Sequence, residues 1–219
     1  HKLNFFPDKK PLKLLICGNT FVSGEHGVFI EQNQDKKIII KKLAKEILQF
    51  AKTHKKLKID AFLLKDFANE SLFITDELKD LNYHPFSIEP NMVLNIDKNW
   101  ENFDAYLVSM KTKFRVKSKK AIQLSSALKI EDVTAENIET QLPKMTALYK
   151  KVATKASFNL SDFNLATYKG FKENFGDNYV LRTYWLQDEI VGFMSGIINK
   201  NSLDAHFVGI DYELNRTHA

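Results

Sequence analysis

The first half of the chain alternates between short apolar runs and amphipathic stretches. Leu12 to Cys17 and Ile59 to Leu64 are largely apolar, which predicts two buried strands. Between them, apolar residues recur at helical spacing, so we expect an amphipathic helix with lysines on its outer side. The inward positions of that helix are Ile40, Leu43, Ala44, Ile47 and Ala51.

The pattern next predicts a short helix over Glu70 to Leu81 and a bent or edge strand around Pro90. The inward residues of the helix are Leu72, Phe73 and Leu78. The alternating apolar residues of the strand are Phe86, Ile88, Met92, Leu94 and Ile96. The first half is therefore predicted to run strand, helix, strand, helix, strand.

The second half opens with helical patterns. One helix is predicted over Trp100 to Ala121. Its apolar stripe is Phe103, Tyr106, Leu107, Met110 and Phe114. Helical spacing returns over Thr134 to Ala156, where Pro143 favours two helices over one because proline lacks the N–H that a helix interior needs.

A capped helix and three strands complete the predicted elements. Ser161 or Asp162 can cap a helix that ends at Gly176. Short polar connections then separate three alternating segments, which predicts an antiparallel meander. The predicted strands are Tyr179 to Gln187, Ile190 to Asn199 and Leu203 to Asp211.

The composition is that of a globular protein. The 219 residues are 44% hydrophobic and 12% aromatic, and no apolar run approaches the length of a membrane span. The one cysteine, Cys17, suits a reducing compartment, so we expect a cytoplasmic protein. Because the chain starts at His1 and stops at Ala219 just after a strand pattern, we expect it to be a fragment of a longer one.

Positive charge is concentrated in the predicted helix that starts near Trp100. The formal net charge is +5 and the sequence pI is about 9.0, which favours anionic partners. No acidic residue lies between Lys111 and Lys120. This basic segment, residues 111–120, is either a solvated surface or a site for phosphate or carboxylate groups. Its candidate substrate-binding residues are Lys113, Arg115 and Lys117.

The same stretch resembles a family signature. A tryptophan, a short polar spacer, Phe-Asp-x-Tyr-Leu and a Lys/Arg ladder are similar to the signature of the Fem-type acyltransferases, including the FemAB-like peptidoglycan biosynthesis group, which carry two fused GNAT (N-acetyltransferase-like) domains. The matching residues are Trp100, Phe103, Asp104, Tyr106, Leu107, Lys113, Arg115, Lys117 and Lys120. The resemblance implies an α/β (α+β) fold of tandem GNAT-like units, in which mixed sheets are flanked by helices. Residues 1–97 would be the C-terminal part of the first unit and 98–219 the N-terminal part of the second.

The loop after the first predicted strand is a candidate cofactor site. It contains glycines where backbone N–H groups and a helix N-terminus can hold a phosphate. In the GNAT family the corresponding loop reads Gln or Arg, two residues, Gly, one residue, Gly or Ala, whereas Phe21 and His26 stand at the first and last of these positions here. The candidates for binding acyl-coenzyme A are Ser23, Gly24, His26 and Gly27. The alternative is an ordinary glycine-containing turn.

The last predicted strand is a candidate catalytic element. Strand alternation predicts that Asp204, His206 and Val208 share one face. In a GNAT-type domain this strand flanks the acyl site, so His206 or Asp204 could accept the proton of the attacking ammonium, and Tyr212 could protonate the leaving group. The alternative is a structural imidazole held by a neighbouring acid. The sequence offers no Cys/His cluster for a metal, and it lacks a Gly-x-Ser-x-Gly elbow and a Walker loop.

The resemblance therefore implies an N-acyl or aminoacyl transferase. The donor would be acyl-coenzyme A or aminoacyl-tRNA, the acceptor a small-molecule or peptide amine, and the reaction a direct attack without a covalent enzyme intermediate. The rival interpretation is a non-catalytic GNAT-like protein that docks an acidic ligand or RNA through residues 111–120. The oligomeric state stays open in both.

Overall fold

The structure is a computed structural model that describes residues 12–87, 91–156, 159 and 162–215. The protein is a mixed α/β protein with a two-stranded parallel sheet and a four-stranded antiparallel sheet. It divides into two compact units, His1–Val93 and Leu94–Ala219. The division lies close to residue 97, where the sequence-based boundary falls.

The unit His1–Val93 is built around two parallel strands and the helix that connects them. Strand β1 spans Leu14–Cys17, helix α1 Lys36–Thr53 and strand β2 Ala61–Leu64. Parallel neighbours need a crossover connection, and α1 provides it. The inward side of α1 is as predicted, since Ile40 and Ala44 are fully buried against Ile74 and Leu78.

The predicted helix over residues 70–81 is wrong in detail. A 3₁₀ helix, Asn69–Ile74, is followed by one α-helical turn, α2, Asp76–Lys79. The tighter 3₁₀ spacing aligns residues three apart, so Ser71 and Ile74 lie inward. Leu72 and Phe73, which were predicted to be buried, are half exposed as a result.

The strand predicted around Pro90 is not present in its described part. Ile88 and Pro90 lie outside the described residues. Residues 91–96 form no strand, and Met92 is 91% exposed while Leu94 and Ile96 are exposed as well. Apolar alternation produces a strand only where a neighbouring strand can pair with it, and no such partner exists among the residues described.

The unit Leu94–Ala219 begins with two short helices in place of the single one predicted. Helix α3 spans Phe103–Ser109 and helix α4 Thr112–Ser125, and the backbone of Met110 between them is extended. The Ser109 hydroxyl donates to the Tyr106 carbonyl at 2.7 Å, a local bond that competes with helix propagation. Within the predicted apolar stripe Leu107 is buried, whereas Phe103 and Phe114 are more than half exposed.

The rest of this unit is a sheet covered by two helices. Strand β3 spans Lys129–Asp132, helix α5 Ile138–Ala153, helix α6 Thr167–Phe175, and strands β4 to β6 span Tyr179–Leu186, Glu189–Asn199 and Ser202–Ile210. The sheet order is β3-β4-β5-β6, and every pair is antiparallel. The predicted meander is confirmed. Strand β3 was not predicted because its sequence, Lys-Ile-Glu-Asp, is almost entirely polar.

Two predicted helix boundaries are corrected. Helix α5 runs through Pro143 without a break, because burial of its inner face outweighs the loss of one hydrogen bond. The inner face of α5 consists of Ile138, Gln141, Met145, Leu148 and Tyr149. Asp162 does not cap α6; its carboxylate accepts from the Asn159 side chain, and Ser161 lies outside the described residues. The predicted end of α6 at Gly176 is confirmed, where φ is 54°.

The core of this unit lies between the two helices and one face of the sheet. Its buried hydrophobic residues are Val133, Ile138, Met145, Leu148, Tyr149, Phe163, Leu165, Tyr168, Tyr179, Leu181, Ile190 and Phe193. Aromatic rings dominate this list, and they hold β4, β5 and β6 against α6 through ring contacts such as Tyr168 with Tyr179 at 5.7 Å. Buried polar groups are usually hydrogen-bonded, and within the described residues the hydroxyl of Tyr179 is buried in this layer without a partner.

Close packing at Gly209 gives a stability prediction. A Cβ at position 209 would overlap Cε1 of Phe193 and lie 2.8 Å from Cβ of Leu148, so Gly209→Ala should lower the free energy of unfolding by about 1–3 kcal/mol. A Cβ added to Gly170 in α6 would have no heavy atom within 4 Å, so Gly170→Ala should raise the free energy of unfolding by about 0.5–1 kcal/mol. Urea unfolding of both variants measures the difference. Equal effects of the two substitutions would contradict this packing.

Candidate functional site

A β-bulge in the edge strand β6 is the central feature of the candidate site. Gly196 of β5 lies opposite Ala205, but Met194 lies opposite Val208. Ser195, between them, therefore faces two residues of β6, His206 and Phe207. An extra residue in one strand bends that strand and changes where its side chains point, and bulges of this kind are frequent beside active sites.

The bulge changes the predicted alternation along β6. Asp204 lies opposite Ile197 and Val208 opposite Met194, and these two residues of β5 point to opposite faces of the sheet. The prediction that Asp204, His206 and Val208 share one face is therefore wrong for Val208. His206 and Phe207 both lie on the face that α5 and α6 cover, since both rings contact Phe163.

The imidazole of His206 sits in an aromatic environment. Its ring centroid is 5.1 Å from that of Phe163, 6.1 Å from that of Phe171 and 4.3 Å from that of Phe207. Burial among these rings lowers the pKa of His206 below its ordinary value, because the imidazolium loses hydration there. The residue as a whole is half-buried. At neutral pH the imidazole of His206 is thus neutral.

Ser195 is the polar residue closest to His206. Its side chain is 1% exposed, and its Oγ lies 3.5 Å from Nδ1 of His206 and 3.3 Å from the hydroxyl of Tyr168. The same oxygen accepts from the Phe207 N–H at 3.0 Å and can donate to the Phe207 carbonyl at 3.2 Å. Burial raises the pKa of Tyr168, so its hydroxyl stays protonated. These groups form one hydrogen-bonded cluster around the bulge.

Sequence reasoning did not identify Ser195. The available signal was a polar residue between Phe193 and Ile197 on the buried face of a predicted strand. Its importance depends on the two residues it faces in β6, and a bulge cannot be located from the alternation of one strand alone.

The other two predicted catalytic residues occupy different surroundings. Asp204 is exposed and accepts from the Asn199 side chain at 2.8 Å. Tyr212 follows β6, and the ammonium of Lys155 lies 3.4 Å from the centre of its ring. Tyr212 lines a cleft of about 230 Å³ together with residues of α5 and the turn after β6, namely Lys151, Thr154, Lys155 and Glu213. Ile210, the last residue of β6, is about 13 Å along the strand from His206, and Tyr212 lies beyond Ile210. The cleft is therefore separate from the bulge.

The predicted cofactor loop uses its polar groups internally. The N–H of Gly24 donates to the Asp66 carboxylate at 3.3 Å, and the N–H of His26 donates to the Gly24 carbonyl at 2.9 Å. His26 also contacts the Ser23 carbonyl through Nε2 at 3.2 Å. The carbonyl of Gly27 lies 3.1 Å from the Cys17 sulfur.

The helix that follows this loop offers no open N-terminus either. Asp35 caps α1, and its carboxylate accepts from the N–H groups of Lys37 and Ile38 at 2.9 and 3.1 Å. A carboxylate in this position takes up the partial positive charge that would attract a phosphate. The N–H groups of Gly24 and His26 and those of Lys37 and Ile38 are therefore bonded within the protein, unlike the open amides that the family pattern implies.

The predicted basic segment lies mainly on α4. Lys113 and Lys117 are exposed, but Arg115 donates to the Val108 carbonyl at 3.1 Å and so joins α4 to the end of α3. No residue of α4 is buried, and the helix contains no acidic side chain. Lysines and the exposed apolar residues Phe114, Val116 and Ile122 share its surface. We call this surface the α4 basic surface.

Within residues 12–87, 91–156, 159 and 162–215, no group of three or more His, Cys, Asp or Glu side chains could hold a metal ion. None of the helices in this part of the chain combines the length and the apolar character needed to cross a bilayer.

Comparison of the chain with protein-family models, curated proteins and solved structures gives no match.

The lowered pKa of His206 makes stability depend on pH. The unfolded chain has the ordinary pKa of 6.5 and the folded chain a lower one, so between these two values the unfolded state binds more protons and the free energy of unfolding decreases as pH falls. His206→Gln removes this proton-binding site. Lowering the pH from about 7.5 to about 5 should therefore destabilise the wild type more than the variant. Urea unfolding at each pH measures this, and parallel losses in both proteins would contradict the burial of the imidazole.

Proposed function

We propose that the unit Leu94–Ala219 serves acyl transfer to an amine, with His206 as the base. The single observation that supports this is the bulge in β6, which holds a neutral imidazole on an edge strand. The order of elements adds support, since two helices followed by an antiparallel meander is what the resemblance to GNAT-type acyltransferases implies for the first part of such a domain.

The chemistry requires a base because an ammonium group cannot attack a carbonyl. Neutral His206 accepts one proton from the ammonium, and the amine nitrogen then bonds to the acyl carbon. The nitrogen of the tetrahedral intermediate loses its second proton to water, and the intermediate collapses as the bond to the leaving thiol sulfur or ribose oxygen breaks. The imidazolium gives that atom the proton it took from the ammonium. No covalent enzyme intermediate is involved, and Tyr212 is not needed as a proton donor.

The edge position of β6 supports stabilisation of the oxyanion. In the order β3-β4-β5-β6, the outer side of β6 has no strand partner within the described residues. Backbone N–H groups on the outer side of an edge strand do not belong to the sheet ladder and can donate to a ligand. Such N–H groups stabilise the negative charge that develops on a carbonyl oxygen under attack. The donor is acyl-coenzyme A or aminoacyl-tRNA. Because the N–H of Gly24 is bonded to Asp66 and that of His26 to the Gly24 carbonyl, we assign no donor contact to Ser23, Gly24, His26 or Gly27.

Removal of the base tests the proposal. With acetyl-coenzyme A or aminoacylated total tRNA as donor and a lysine-containing peptide as acceptor, His206→Gln should lower the turnover rate by about 10²–10⁴-fold. Asp204→Asn is the matched control, because Asp204 is exposed and bonded to Asn199, and its rate should stay within about twofold of the wild type. Product formation by mass spectrometry measures both. Full turnover in His206→Gln would overturn the role of His206.

A second candidate function is non-catalytic binding of RNA or an acidic ligand through the α4 basic surface. The observation that favours it is a helix with exposed lysines, exposed apolar residues and no acidic side chain. Lysines neutralise phosphates, and an exposed aromatic ring such as that of Phe114 offers a face on which a base can stack. Binding of this kind would not involve His206.

Charge removal on α4 tests this second function. Lys113→Gln combined with Lys117→Gln should weaken binding of single-stranded RNA and reduce the slope of log affinity against log salt by about 1.4, since each phosphate contact contributes about 0.7. Lys42→Gln combined with Lys45→Gln, two exposed lysines of α1, is the control with equal charge loss. Fluorescence anisotropy at several salt concentrations measures the slope. If both double variants change the slope equally, the effect comes from the net charge of the protein and not from the α4 basic surface.

A further inference from the structure

Ser195 makes the contacts that a bulge needs. The extra residue in β6 interrupts the regular pairing with β5, so backbone groups at that point require other partners. The Oγ of Ser195 lies within hydrogen-bond distance of both backbone groups of Phe207, 3.0 Å from the nitrogen and 3.2 Å from the carbonyl oxygen. One hydroxyl can accept the first bond and donate the second. A side chain on β5 thus replaces the missing ladder contact.

The location of Ser195 makes this replacement specific. Ser195 is almost completely buried in a layer of aromatic rings, and water does not compete for its hydroxyl there. An alanine at this position would remove both contacts of the Ser195 hydroxyl with the Phe207 backbone, and the loss of hydrogen bonds inside the core is unfavourable. The strand could recover regular pairing only by a shift in register, and a shift of one residue turns each side chain to the other face.

We propose that Ser195 is a positioning residue that fixes the β6 bulge and thereby holds His206 on the helix-covered face of the sheet. Its link to catalysis rests on the proposed acyl transfer, whereas its effect on the bulge does not. Ser195 acts through the backbone of Phe207 and through its contact with His206, and it has no direct contact with the reacting atoms.

The first test uses the wild-type protein and needs no variant to fold. If the Phe207 N–H is bonded to a buried hydroxyl, its hydrogen exchange should be at least 100-fold slower than that of an unprotected amide. Nuclear Overhauser contacts should join the Phe207 amide proton to the β protons of Ser195. Rapid exchange of this amide, or absence of those contacts, would overturn the proposal.

The second test compares two buried hydroxyl groups of the same sheet. Thr183 in β4 is fully buried, lies opposite Phe193 and donates to the side chain of Gln141 at 3.0 Å. Ser195→Ala and Thr183→Val each remove one buried hydroxyl, so a general loss of stability is common to both. Only Ser195→Ala should release the imidazole from its ring environment, with loss of the ring-current shifts of His206 and a rise of its pKa towards 6.5.

Titration of His206 by NMR measures this difference in the folded proteins. An unchanged His206 titration in Ser195→Ala, or an equal change in Thr183→Val, would overturn the positioning role. In the acyl-transfer assay, Ser195→Ala should lower kcat by at least 10-fold while KM stays within about threefold. If the titration responds as expected but the wild type transfers no acyl group, the positioning role stands and the proposed function fails.

Discussion

The unit Leu94–Ala219 depends on the burial of one sheet face by two helices. The aromatic layer that α5 and α6 form with β4, β5 and β6 is the main source of apolar burial in this unit, and it removes water from the side chains that it buries. Polar side chains within the layer are accordingly few. Gln141 and Thr183 bond to one another, and Ser195 bonds to the bulged strand. The same exclusion of water that stabilises the fold therefore also keeps His206 neutral and makes the Ser195 contacts strong.

The parts of the fold that could be predicted are those in which local pattern and tertiary environment agree. Strands β4 to β6 alternate clearly and pair with close neighbours, and α1 has a complete apolar face over Ile40 and Ala44. The errors occur where a tertiary contact outweighs the local signal. Burial of the inner face of α5 tolerates Pro143, pairing with β4 recruits the polar strand β3, and a 3₁₀ turn reverses the burial expected for Leu72.

The candidate site shows the same limit at the level of single residues. His206 was identified because alternation placed it beside Asp204 on the last strand of the predicted meander, but its neighbours depend on the bulge. The association of Asp204 with His206 followed from regular alternation alone, and Asp204 bonds to Asn199 instead. The glycine loop had the composition of a phosphate site, yet Asp66 and Asp35 supply carboxylates to the N–H groups that a phosphate would need. Which amides are already occupied is a property of the folded chain.

The exposure of helix α4 makes it a preferred site of cleavage by trypsin. No residue of α4 is buried, and its closest structural link is the bond from Arg115 to the end of α3. A helix with so little tertiary contact opens locally at a small free-energy cost, and an opened segment rich in lysine is a substrate for trypsin. Limited digestion of the native protein would therefore cut α4 more readily than α5, whose inner face is buried. The fragment that begins after α4 retains the whole four-stranded sheet with its two covering helices, and with them the bulge and His206.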